Sequence, residues 1–102
     1  MPYTVTVIAN KPQGTEWWNY PPGSPNDQAR DELFAWMASQ PGCISLDSIV
    51  DGPDDSTTIS IFDTEANYIA YVTELVNQPA YISRAQYNQA TGITFIVTAA
   101  TT

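Results

Sequence analysis

Arg30 and Arg84 are two of only three cationic side chains in a chain of 102 residues that carries eleven Asp and Glu. A guanidinium grips a carboxylate through paired hydrogen bonds, so each is a candidate anchor for the acidic end of a ligand. The plainer role for both is an ion pair on an acidic surface. Lys11, the third cation, could act the same way as a point charge. Tyr68, Tyr71, Tyr81 and Tyr87 form a second group. Their hydroxyls either sit at the surface of packed helices or point into a cavity and orient a polar group. Asp51, Asp54 and Asp55 crowd one turn, but they lack the spaced ligands and terminal Glu of a calcium loop. They read as a solvated hairpin. Cys43 follows Gly42 with no cation beside it, which favours a small buried hydrophobe over a reactive thiol.

What is missing narrows the chemistry further. The chain has no histidine and one cysteine. The commonest general base, the usual zinc and haem ligand and any Ser-His or Cys-His pair are therefore excluded, as is an internal disulfide. No cofactor and no metal is expected. The formal charge of −8 leaves no basic track for phosphates, so nucleic acid and anionic membranes are poor partners. No apolar run approaches the roughly 20 residues of a membrane helix, and the N-terminus has no basic stretch of a signal peptide. The lone thiol makes a cytoplasmic location the default.

The segment Asn10 to Gly23 is broken by Pro12, Gly14, Pro21 and Pro22, yet it carries Trp17, Trp18 and Tyr20. Aromatic side chains are costly to leave in water. This loop either covers the edge of the core, packs at a subunit interface or lids a pocket. Trp17 and Trp18 are adjacent, so in an extended segment one packs on the protein body and the other faces a cavity mouth or a partner.

The elements around these residues follow from periodicity. Tyr3 to Ala9 alternates Tyr3, Val5 and Val7 with Thr4, Thr6 and Ile8, a strand with no charge on either face. Ser24-Pro25 starts a helix with Asp27 at the capping-box position, and Ala29, Leu33, Phe34, Trp36 and Met37 form its apolar stripe up to Pro41-Gly42. Cys43 to Val50 and Thr57 to Phe62 are strands joined by the acidic turn at 51–56. Asp63 or Thr64 caps a second helix. Its stripe is Ala66, Ile69, Ala70, Thr73 and Val76, widened by Tyr68, Val72 and Leu75. Pro79 opens a further helical segment over 80–89, which Gly92 ends. Ile93 to Ala99 is the last strand, and 100–102 fray or cross to a neighbour.

The order β-α-β-β-α-β predicts one ferredoxin-like α+β domain over 1–102: a four-stranded antiparallel sheet with helices on one face. The other face carries Thr4, Thr6, Ile8, Thr94, Ile96 and Thr98, or their alternates, with almost no charge. One copy cannot bury that face, so a homodimer paired sheet to sheet is expected.

Pro41-Gly42-Cys43-Ile44-Ser45 resembles the helix-end turn of the dimeric α+β barrel proteins. Ser60-Ile61-Phe62-Asp63-Thr64-Glu65-Ala66 is similar to their junction from strand three into helix two. The antibiotic-biosynthesis-monooxygenase-like and EthD-like proteins belong to this superfamily. The resemblance implies a dimer with a cavity between helices and sheet or within the joined barrel. The monooxygenase relatives often carry a tryptophan where Phe62 stands here, and haem-binding relatives use a histidine that this chain lacks.

Three functions follow. The first is a small-molecule binding protein with a mainly apolar pocket. Its lining candidates are Trp17, Trp18, Tyr20, Trp36, Met37, Phe62, Tyr68 and Tyr81, with Arg30 or Arg84 for polar grip. A long-chain or aromatic compound with one acidic or carbonyl end suits such a pocket. The second is a cofactor-free monooxygenase or isomerase, in which an aromatic or polyketide-like substrate supplies the reactivity. The third is a structural or assembly module with no ligand.

Overall fold

The structure, a computed structural model, describes residues 1–101. Alternating residues extend as β1 (Tyr3–Asn10), β2 (Cys43–Val50), β3 (Asp55–Phe62) and β4 (Thr94–Thr101). Between them lie α1 (Pro25–Ala38), α2 (Glu65–Leu75) and α3 (Pro79–Thr91). The strands form one sheet in the order β2-β3-β1-β4, and every neighbouring pair is antiparallel. This is the ferredoxin-like α+β layout that the order of elements predicts.

Capping fixes where the helices begin. The Ser24 side chain accepts from the Asp27 N–H, with Pro25 in the first turn of α1. Thr64, not Asp63, caps α2 by accepting from the Asn67 N–H at 3.2 Å. Each cap satisfies a backbone donor that the first helical turn leaves open. Gly92 ends α3 in the left-handed conformation at φ 85°, which glycine adopts without steric cost.

Register separates the two faces of the sheet. Val5 stands opposite Ser60, Val7 opposite Thr58 and Val97, and Ala9 opposite Phe95; this set lies on the helix side. Thr6 stands opposite Ile59 and Thr98, and Ile8 opposite Thr57 and Ile96; no helix covers this set. The core is centred on Leu33, Met37, Phe62, Tyr71 and Leu75, and Phe62 is its most deeply buried aromatic. Around it the rings interlock, with Tyr71 stacked on Phe62 at 5.0 Å and Tyr68 edge-on to Phe62 at 5.6 Å.

Three details depart from the sequence-based expectation. β3 begins at Asp55 rather than Thr57, because Asp55 pairs with Asn10 across the ladder. The C-terminal residues Ala100 and Thr101 do not fray; they pair with Thr4 and Tyr3 of β1. Helix α2 is rotated. It buries Tyr71 and Leu75 and packs Tyr68 and Val72 beside them, while Ala66, Ile69, Ala70, Thr73 and Val76 face outward. Aromatic side chains bury far more apolar area than alanines, so the face that carries the tyrosines turns inward.

Candidate functional site

A cavity of about 590 Å³ lies between the helix side of the sheet and the three helices. The sheet contributes Val5, Val7, Leu46, Thr58 and Ser60, with Phe95 and Val97 from β4. α1 contributes Phe34 and Met37, and α2 contributes Tyr68, Tyr71, Val72 and Leu75. α3 turns Tyr81, Arg84, Ala85, Asn88 and Gln89 to it. Tyr81, Arg84, Ala85 and Asn88 are spaced by three and four residues, so they share one helical face.

The charge in this cavity is Arg84. Its guanidinium carbon lies 5.8 Å from the centre of the Phe34 ring, and that of Arg30 lies 4.1 Å from the same ring. Lys11 is paired to Asp54 at 2.8 Å and Arg30 to Asp31 at 3.5 Å, and Arg84 has no carboxylate partner among the described residues. Burial and the nearby Arg30 charge push its pKa below the ordinary arginine value. Both causes disfavour the cation where it stands. The facing phenols are neutral. Burial, then Tyr68, holds Tyr71 well above the ordinary tyrosine range, and burial, then Tyr3 and Tyr81, raises Tyr68.

Of the residues singled out in the sequence, Met37, Tyr68, Tyr71, Tyr81 and Arg84 line this cavity together. The others sit elsewhere. Phe62 is in the core beneath it. Trp36 packs on Tyr71 with ring centres 6.1 Å apart. Trp18 is buried, and its carbonyl accepts from the Asn26 amide at 3.1 Å. Trp17 is half-buried with the Lys11 ammonium 5.7 Å from its ring centre. Tyr20 is exposed. Arg30 reaches Phe34 from the outside of α1 and keeps contact with solvent.

The loop that carries the tryptophans is tied down at several points. Lys11 is almost fully buried and donates to Asp54 and to the Thr15 carbonyl. The Tyr87 hydroxyl donates to the Glu16 carbonyl. Asn19 and the Gly23 N–H both donate to Asp27, lowering its pKa. Lys11 is thus committed to the fold. So is the acidic turn, where Asp55 accepts from Asn10 and Asp51 from Thr57. No group of three or more His, Cys, Asp or Glu among the described residues is placed to hold a metal. Among the described residues no helix is long and apolar enough to cross a membrane.

Sequence reasoning passed over Ser60, Asn88 and Gln89. Asn88 was findable, since it lies seven residues beyond Tyr81 and four beyond Arg84, on the same face of one helix.

No protein-family model and no curated protein matches the sequence. Solved structures do match the fold. SnoaB, a cofactor-independent oxygenase from Streptomyces nogalater, superposes with a TM-score of 0.67 at 14% identity, over 99% of this chain and 92% of that one. A Deinococcus radiodurans protein named as a candidate antibiotic biosynthesis monooxygenase superposes with a TM-score of 0.63 at 11% identity, over 100% of this chain and 92% of that one. Rv0793 from Mycobacterium tuberculosis gives 0.64 at 15% identity, over 100% and 95%. The chain therefore has the ferredoxin-like fold of the antibiotic-biosynthesis-monooxygenase-like proteins.

Proposed function

We propose that the protein binds an aromatic or long-chain small molecule with an anionic or carbonyl end, in the cavity between helices and sheet. The observation that carries this reading is Arg84, a cation set against apolar and phenolic side chains without a carboxylate partner among the described residues. In a chain with eleven acids and three cations, an acidic side chain could readily have neutralised it. An arginine kept uncompensated in an apolar cavity is a ready anchor for an incoming anion. Its test is a pair of probes of equal bulk, 1-naphthoate and 1-naphthalenemethanol, titrated by calorimetry. The carboxylate binds more tightly to the wild type, and Arg84→Gln removes the preference. Equal affinity for both probes in the wild type would overturn the reading.

The working unit in this proposal is a homodimer joined through the helix-free sheet face. That face exposes Ile96 at 65%, Ile49 at 55% and Ile8 at 40%. Asp47 and Asp55 are its charged residues, and both lie towards the β2–β3 end. A second sheet packed on it would bury apolar area that water otherwise meets. Sedimentation at micromolar concentration tests this: the wild type runs as a dimer and Ile96→Lys as a monomer, since an unpaired charge in that interface is expensive.

A second reading is a cofactor-free oxygenase or isomerase, favoured by the fold shared with SnoaB. There the bound anion would be an enolate or phenolate of the substrate. Turnover of an activated aromatic substrate, with oxygen consumed by an oxygenase and none by an isomerase, separates it from binding alone.

A further inference from the structure

Asn88 and Ser60 are each about nine-tenths buried, at 8% exposure, and both line the cavity. Neither side chain makes a hydrogen bond to another described residue, although every fully sealed side-chain nitrogen and oxygen has a partner. Their polar atoms therefore open to the cavity rather than into packed protein. Local structure does not call for either residue. The last turn of α3 is closed by the Asn88 backbone carbonyl, which accepts from the Gly92 and Ile93 N–H groups at 3.1 and 2.9 Å; any residue offers that carbonyl. Asparagine is a poor choice in a helix when its side chain has no task. Ser60 stands in β3 opposite Val5 and Leu46, where a valine would pack better and satisfy strand preference. Both polar groups therefore face only the cavity and whatever fills it.

We infer that Asn88 and Ser60 form a second polar subsite that takes a hydroxyl or carbonyl oxygen of the ligand, while Arg84 holds its anionic end. This rests on Arg84 as the anion anchor. Asn88 follows Arg84 by one turn of α3, about 6 Å along the axis. An oxygen placed across one aromatic ring from a carboxylate spans a similar distance. The amide offers both donors and an acceptor, and the hydroxyl one of each. The subsite therefore accepts either a phenol or a ketone. The ligand class is the hydroxy- or oxo-substituted aromatic acids, distinguished from their purely hydrocarbon analogues.

The experiment compares 4-hydroxy-1-naphthoate with 4-methyl-1-naphthoate by calorimetry on the full chain. The wild type binds the hydroxy compound roughly 5- to 10-fold more tightly, the scale of a hydrogen bond to an otherwise unpaired group. Asn88→Leu brings that ratio close to one. Ser60→Ala lowers the ratio in the same way and changes volume less, so it serves if Asn88→Leu does not fold. A wild-type ratio near one, or a ratio preserved in the variants, overturns the subsite while leaving the anchor in place. If neither naphthoate binds the folded wild type, the anchor itself falls and the subsite falls with it. Binding of the methyl compound alone reports on the anchor.

Discussion

The guanidinium of Arg84 stands over the ring of Phe34, 5.8 Å from its centre, with Arg30 against the same ring at 4.1 Å. A face of an aromatic ring attracts a cation, which offsets part of the cost of keeping Arg84 out of water. It does not supply the counter-charge, and the second guanidinium adds repulsion. The arrangement holds positive charge at one wall of the cavity at the expense of stability in the empty protein.

Replacing Arg84 therefore separates stability from binding. Arg84→Met keeps most of the apolar stem while removing the half-buried guanidinium and its charge. Thermal stability is expected to hold or to rise by about 1 kcal/mol. Affinity for a naphthoate is expected to fall by roughly tenfold or more, the scale of a lost charge-assisted hydrogen bond. Melting curves and titrations on the same preparation check both. A variant that is both less stable and unchanged in binding would mark Arg84 as a packing residue.

Tyr71 sets an alkaline limit on the fold. Its pKa is raised from 10.0, first by burial and then by Tyr68, so the folded state holds the phenol proton more tightly than the unfolded chain does. Below pH 10 both states are protonated and Tyr71 contributes no slope. Above it the unfolded state loses its proton first, and stability falls as pH rises. Tyr71→Phe removes that slope. At pH 7 it is expected to change stability by less than about 1 kcal/mol, because no hydrogen bond to the phenol oxygen is lost. Denaturant unfolding at pH 7 and across pH 9.5 to 11.5 tests this, with the variant falling off less steeply.

The sheet and the order of elements were legible because strands with period two, helix caps and breakers all point the same way. Ser24 and Thr64 cap where a capping oxygen is followed by a helical pattern. Facing was harder. In α2 two stripes compete, and counting apolar positions favours Ile69 and Val76 while apolar area favours Tyr71 and Leu75. The structure follows area. Arg84 and Tyr81 were readable as site candidates from residue type alone. Asn88 and Ser60 were not singled out, because a lone amide or hydroxyl acquires meaning only when its surroundings are apolar and its partners are missing. Trp17 and Trp18 drew attention by type, but whether a loop aromatic meets a cavity depends on the tethers at Lys11 and Glu16, which join residues far apart in sequence.

Gly42 and Gly23 offer a controlled comparison of backbone strain with close packing. Both adopt positive φ, at 81° and 80°. A Cβ on Gly23 meets nothing within 4 Å, whereas one on Gly42 meets the Asp63 carboxylate and the Asn67 amide, the latter at 2.6 Å. These groups bond to each other at 2.8 Å and brace the start of α2 against the turn, where the Asp63 N–H donates to the Gly42 carbonyl at 2.8 Å. Gly23→Ala is expected to cost about 1 kcal/mol, the left-handed penalty alone. Gly42→Ala is expected to cost about 2 kcal/mol or more, because the clash adds to that penalty. Chemical denaturation of the two variants measures the difference, and equal costs would mean that the Asp63–Asn67 pair yields without loss.

The tryptophan loop gives the last expectation. Trp18 is 5% exposed, while Trp17 is half-buried with Lys11 near its ring. Neither lines the cavity of about 590 Å³. Trp18→Ala opens a void in packed protein and is expected to cost about 3 to 5 kcal/mol, enough to threaten folding in so small a domain. Trp18→Phe, which retains most of the ring, keeps the comparison usable if Trp18→Ala does not fold. Trp17→Ala loses only partial burial and the cation–ring contact, about 1 to 2 kcal/mol. Because the loop is held by the Lys11–Asp54 pair and the Tyr87–Glu16 hydrogen bond as well, Trp17→Ala should leave naphthoate affinity within about twofold, as expected for distant independent sites. A large loss of affinity with little loss of stability in Trp17→Ala would instead make this loop a cover for the ligand, and the cavity as bounded by the three helices would be incomplete.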